Sequence, residues 1–180
     1  EDMDGNTTVI TKAADRAAAV GILVCNSAGN EGDGSWYYIG APADGDSVFT
    51  IGAVDINGNS VSFSSHGPTF DGRLKPNIVG QGAGTGVVTS NGTVAYGNGT
   101  SYSSPLIAGA CASFMSAFPE LSNMEVMDII QSTASQADNP DNSMGYGIPN
   151  FAKAYMELKG IDLSTENIIS ILPNPASDEV

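Results

Sequence analysis

A parallel β-sheet packed against helices is the architecture predicted for this 180-residue sequence. Short apolar runs rich in β-branched residues stop in Gly and Asn, as strands buried on both faces do. Segments with apolar residues at helical spacing stand around them. Helices alternating with buried strands imply an α/β layer arrangement. The length suffices for one domain with its own core. No apolar run approaches the span of a bilayer.

The elements follow in order. From Thr8 to Val20 the apolar positions Val9, Ile10, Ala13, Ala14 and Ala17 predict one helical face, with Lys12, Asp15 and Arg16 opposite. The run "GILVC" (21–25) predicts a strand buried on both faces and leads into "NSAGNEG" (26–32). "SVFTIGAVD" (47–55) and "KPNIVG" (75–80) predict two more strands. "TGVVTSNGTVAYG" (85–97) reads as a hairpin about Asn91-Gly92, a pair suited to a turn with positive φ. A helix is predicted from about Ser101 to Ala117, burying Leu106, Ile107, Ala110, Cys111, Phe114 and Met115. Ser122 and Glu125 form a capping-box pattern that opens a helix reaching about Ala134. "GYGIPNFAKAYMEL" (145–158) supplies a tight turn and a last short helix, after which the pattern stops.

Six basic residues against twenty acidic ones give a net charge of −14. That balance repels phosphate backbones and argues against a nucleic-acid partner. Three Asn-x-Ser/Thr sequons, at Asn6, Asn91 and Asn98, are equally well read as turn residues. Cys25 lies in an apolar run and Cys111 on an apolar helix face, so both read as small core residues. Carboxylates are plentiful, but no D-x-D-x-D-G loop names a calcium site.

Two loops carry reactive chemistry. A serine is a poor nucleophile unless it has a base, donors for the developing oxyanion and a fixed, exposed position. Ser101 follows Gly99-Thr100 and enters a helix, so its N–H stands where the helix dipole is positive. Pro105 falls close behind, read as first-turn, and Ser103, Ser104, Ala108, Gly109 and Ala110 permit close packing. The plain alternative is a serine that caps a helix. In the second loop Asn30 carries an amide donor between Gly29 and Gly32; alone, such a residue usually marks a turn.

Taken together, "GTSYSSPLIAG" (99–109) resembles the serine motif G-T-S-x-[AS]-x-P-x-x-[AS]-G of subtilisin-like serine peptidases. "SAGNEG" (27–32) is similar to that family's oxyanion loop. "GAPADGDSVFTIGAVD" (40–55), "VSFSSHGPTFDGRLKPNIVGQG" (61–82) and "GYGIPNFAKA" (145–154) fit in the same order, so the resemblance covers about residues 1–158. It implies a three-layer sandwich, incomplete at its N-terminal side, and a serine endopeptidase that cleaves protein or peptide substrates. Ser101 takes the nucleophile's role and Asn30 donates to the oxyanion beside the Ser101 N–H. Ser27, Ala28 and Gly29 form part of the wall for the residue before the scissile bond. No cofactor is required for this chemistry; calcium commonly stabilises such proteins, with no ligand assignable here.

The family's triad runs Asp, His, Ser along the chain. The one histidine, His66, follows Asn30 instead of preceding it, and "SSHGP" fits a structural segment of the family. Asp4 in "MDGN" stands too near Asn30 to be the triad acid and reads as a loop carboxylate. Acid and base are therefore expected upstream, and the chain alone is expected to be inactive. The rival is a non-catalytic binding or structural module with the same fold. An esterase is disfavoured because Gly99-Thr100-Ser101-Tyr102-Ser103 lacks the second glycine of G-x-S-x-G. Residues 159–180 read as a linker and the truncated start of another module. There "NIISILPNPASDEV" resembles the opening of the sorting domain used by the type IX secretion system of certain Gram-negative bacteria. That resemblance implies a protein that is secreted or held at the cell surface, with the secretion machinery as a partner.

Overall fold

The computed structural model describes residues 2–161. The sorting-segment reading, on residues 167–180, lies wholly outside them. Along the chain run α1 (Val9–Ala19), β1 (Val24–Ser27), β2 (Val48–Val54), β3 (Ile78–Gln81), β4 (Thr85–Val88), β5 (Val94–Gly97), α2 (Thr100–Ala117), α3 (Asn123–Ser132) and α4 (Phe151–Leu158). β1, β2 and β3 form a parallel sheet in that order, with Val24 opposite Val48 and Ile51 opposite Ile78. The sheet packs against helices as predicted. The strands follow one another through irregular loops, however, so helix and strand do not alternate between β1 and β3.

β2 is buried at every residue. One side of it, through Phe49 and Ile51, joins a core with Ile107, Cys111 and Phe114 of α2, Val126 and Ile130 of α3, and Ala154 of α4. On the other side Val48 and Thr11 of α1 both reach the space beside Gly45. β1 departs from expectation: its four residues are half-buried, and among the described residues only β2 pairs with it. The hairpin β4–β5 is antiparallel, and Gly92 in its turn has φ +80°.

α1 is rotated from its predicted orientation. Thr11 and Ala18 are buried, while Val9 is 84% exposed and Asp15 half-buried. The Thr11 hydroxyl donates to the fully buried Asp44 carboxylate at 2.6 Å, and Asp44 also accepts from the Gly5 N–H. This polar anchor turns the small-residue face inward and leaves the two β-branched residues of the first turn outside. α2 likewise exposes Leu106, contrary to the sequence reading. The 18 residues of α2 include no charge, so apolar periodicity barely distinguishes its faces. α3 has the predicted capping box, with Ser122 and Glu125 each accepting from the other's N–H, and it ends at Ser132.

Below the sheet Lys75 is 2% exposed, and its ammonium donates to Val48 O (2.7 Å), Thr50 Oγ1 (3.0 Å) and Asn77 Oδ1 (2.9 Å). Asn77 continues the network to Gln131 of α3. Burial, reinforced by the Arg73 charge, pulls the Lys75 pKa from 10.5 to about 7 against the opposing effect of Asp15, Asp44 and Asp46. Between about 7 and 10.5 the unfolded chain therefore holds a proton that the folded one releases. The Lys75 contribution to stability rises with pH through that window, by at most about 1.4 kcal/mol per pH unit, and is lost as pH falls through its lower end. Urea unfolding of the wild type minus that of Lys75→Met should show this slope; a difference independent of pH would mean that the lysine stays charged throughout.

Candidate active site

The two loops singled out in the sequence meet at the carboxyl ends of the parallel strands. β1 delivers Ser27, after which the Ala28 N–H bonds Ile51 O of β2 at 2.9 Å. At the end of β2 the Gly82 N–H bonds Val54 O (2.9 Å), and Gly82 O accepts from the Gly99 N–H (2.7 Å). The chain thereby brings the start of α2 back to the sheet edge from which the Asn30 loop emerges.

Gly99 is the N-cap of α2, with φ 150° and ψ 150°, a backbone region essentially reserved for glycine. It has no side chain with which to cap the helix. Thr100 is fully buried and joins the two loops by three hydrogen bonds. Its N–H donates to Asn30 Oδ1 at 2.8 Å, and its hydroxyl donates to the same oxygen at 3.0 Å. That hydroxyl also accepts from the Gly29 N–H at 3.3 Å. An oxygen receiving a backbone N–H fixes which end of the amide is which. The Asn30 Nδ2 is thus turned away from Thr100, and among the described residues it has no protein acceptor.

Ser101 is exposed and is the second residue of α2 rather than its cap. Its N–H has no hydrogen-bond partner among the described residues, whereas the neighbouring Tyr102 N–H bonds Gly99 O at 3.0 Å. The site therefore presents an exposed hydroxyl, an unpartnered backbone N–H at a helix N-terminus and a fixed, unpartnered carboxamide donor. Such a set can hold a negatively charged oxygen. Pro105 is the sixth residue of α2, beyond the first turn where the sequence reading put it, so the Ser101 carbonyl lacks its usual i+4 donor. Tyr102 lays its ring across Gly97 of β5, leaving no room there for a Cβ.

Ser27 and Gly29 are half-buried beside Asn30. Ala28 is wholly buried with Ile39 and Ala43, so it offers no side chain to a pocket. The loop is braced by Ser65, whose N–H donates to Gly29 O (3.0 Å) and whose hydroxyl accepts from the Glu31 N–H (3.0 Å). His66 stacks on Tyr37, with ring centroids 4.4 Å apart and planes 6° from parallel, while its backbone bonds the strand-like segment at Tyr37 and Ile39. Asp4 accepts from the N–H groups of Asn6 and Thr7 and the Thr7 hydroxyl, each at 2.8 Å, and the Asn6 N–H leads in holding its pKa down. Neither is brought to Ser101. Sequence reasoning missed Thr100, which bonds Asn30 directly, and Ser65, which braces the residues on either side of it. The threonine of "GTS" was the available signal.

A cleft of about 380 Å³ lined by Met3, Trp36, Tyr38, Pro68, Thr69 and Phe70 contains none of these residues. Among the described residues no three His, Cys, Asp or Glu side chains gather where they could hold a metal.

Known proteins resemble most of this chain. Subtilisin DY of Bacillus licheniformis is 39% identical over 142 residues, 78% of this chain and 48% of that protein. Subtilisin E of Bacillus subtilis (strain 168) is 35% identical over 134 residues, 74% of this chain and 34% of that protein. The chain thus spans about half the length of the first and a third of the second. The prenylagaramide maturation protease PagA shares the fold at a TM-score of 0.69 and 24% identity, over 84% of this chain and 55% of its own. The self-cleaved protease domain of PatA does so at 0.68 and 23%, over 83% and 54%. Residues 1–147 match the model of the subtilase family, Peptidase S8. With that match, the identity to the subtilisins and the shared fold, this chain belongs to the subtilase family.

Proposed function

We propose that the chain carries the nucleophile and oxyanion half of a serine endopeptidase site that hydrolyses peptide bonds through an acyl-enzyme. The observation that carries this reading is the clamp of Thr100 on Asn30 Oδ1, which leaves Nδ2 and the Ser101 N–H free beside the exposed Ser101 hydroxyl. In this reading Ser101 Oγ attacks the scissile carbonyl carbon while a histidine supplied from outside this chain takes its proton. The carbonyl oxygen becomes an oxyanion held by the two donors. The amine then leaves with that proton, and water hydrolyses the acyl-serine. The Ser27–Gly29 backbone, with Ala28 contributing no side chain, borders the residue before the scissile bond. No cofactor is called for by these steps. Export to the cell surface or medium is supported only by the resemblance of residues 167–180 to a sorting segment.

The chain alone should not turn over casein or mixed peptides, because its one histidine is stacked on Tyr37. Turnover abolished by a serine-directed phosphonate would place a base within these residues and bring His66 back into consideration.

In a domain completed by an aspartate and a histidine, Ser101→Ala should reduce cleavage to the level left by binding and oxyanion stabilisation. Unchanged activity would favour the non-catalytic reading. Asn30→Leu should lower kcat by roughly 10²–10³, about 2.7–4 kcal/mol, with little change in KM; the figure is the one known for the corresponding asparagine of subtilisin and is carried over to this chain. An effect wholly on KM would assign Asn30 to ground-state binding.

Thr100→Val keeps the shape and removes the hydroxyl that orients Asn30. It should lower kcat by about tenfold, the worth of one net hydrogen bond near 1.4 kcal/mol. Steady-state kinetics on one peptide substrate decides it: a loss equal to that of Asn30→Leu would show that the Thr100 N–H alone cannot hold the amide.

A further inference from the structure

The cleft of about 380 Å³ beside Met3 takes no part in the peptidase reading. Trp36, Tyr38 and Phe70, all exposed, line it from two separate segments. Trp36 and Tyr38 are joined by a three-residue turn. The Tyr38 N–H bonds Trp36 O at 2.8 Å across Tyr37, whose φ of 65° is the one positive value among the described residues other than glycine. A bulky residue holds that conformation only where its surroundings compensate. Here the Tyr37 ring stacks on His66 and meets the Tyr38 ring edge-on at 5.3 Å. Trp36 is pinned by its indole N–H to Ile39 O (3.3 Å), and Phe70 by its backbone N–H to Met3 O (2.8 Å). Among the described residues no ring pair joins Trp36, Tyr38 and Phe70 to one another, and the cleft between them stays open.

Polarity and charge decide the occupant. The indole N–H is spent on Ile39, and the nearly buried Thr69 hydroxyl donates to Asp71. A ligand rich in hydroxyls therefore finds few partners, whereas ring faces, which carry partial negative charge, attract a weakly hydrated cation. Asp2 and Asp4 flank Met3, Asp33 precedes Trp36 and Asp71 follows Phe70, in a chain of net charge −14. Arg73, close behind Asp71, is already paired with it at 2.8 Å. We propose that this cleft binds a quaternary ammonium group against the faces of Trp36, Tyr38 and Phe70. Such a cation needs no hydrogen-bond acceptor, and its methyl groups pack on the rings while its charge meets their negative faces. The site is independent of the serine chemistry, and the chain alone serves to test it.

Trp36 is the only tryptophan of the chain, so its fluorescence reports the cleft directly. The folded chain is titrated at constant ionic strength with choline and with its neutral isostere, 3,3-dimethylbutan-1-ol. Choline should change the emission saturably and bind about tenfold more tightly than the isostere, the order expected when several ring faces act on one cation. Tyr38→Leu and Phe70→Leu should each weaken choline binding severalfold, with the urea midpoint and the weak affinity for the isostere near those of the wild type. Flotation with vesicles of pure phosphatidylcholine identifies the source of the group: a chain that floats takes a lipid headgroup, and one that binds choline but does not float takes a free solute. Equal affinity for choline and the isostere would make the cleft a plain apolar slot and overturn the proposal. So would emission that choline leaves unchanged, or choline binding that both variants retain in full.

Discussion

A strand with no exposed residue imposes the central constraint on this fold. β2 has partners along both edges and is buried along its length, so nothing polar can enter it without an internal partner. Thr50, its one polar residue, meets that condition by donating to Ala43 O at 2.6 Å and accepting from Lys75. The parallel register on either side then determines where the flanking chains leave the sheet. Ser27 ends opposite Ile51, and Gln81 opposite Val54. Both exits lie at the carboxyl ends of the strands, the position at which open α/β sheets present their functional loops.

The chemistry of the site comes largely from hydrogen bonds that the local structure leaves unmade. A serine or aspartate at the N-cap of α2 would offer its side chain to the first N–H groups of the helix. Gly99 offers none. Thr100 instead spends its own N–H and hydroxyl on Asn30, immobilising a side chain that is itself exposed. The arrangement is rigid where it orients the donors and open where they point. Dipoles fixed in this way need no reorganisation when negative charge develops near them.

The serine motif and the central strands were legible because they are local. "GTSYSSPLIAG" is one continuous stretch, and the apolar character of β2 is carried by its own residues. The orientation of α1 was not legible, since its inward face is set by the bond from Thr11 to Asp44, a partner far along the chain. Leu106 was misplaced because a helix without charges gives no polar face against which to measure an apolar one. Nothing in the sequence around Lys75 marks it as buried. Its burial depends on three acceptors contributed by β2 and by Asn77. Position in space, more than residue type, decides each of these cases.

The order β1-β2-β3 also governs how the chain reaches its native state. Val24 must find Val48, and Ile51 must find Ile78, across loops that contain no helix to bring the ends together. Each closure loses chain entropy before its ladder forms, and no hairpin nucleates the parallel sheet from nearby residues. The antiparallel β4–β5 pair and the capped helices draw on neighbouring residues, whereas the parallel sheet that organises the core needs distant ones. Until β2 acquires both neighbours, its largely apolar sequence remains available to other chains. Slow assembly and a narrow escape from aggregation are thus built into the topology.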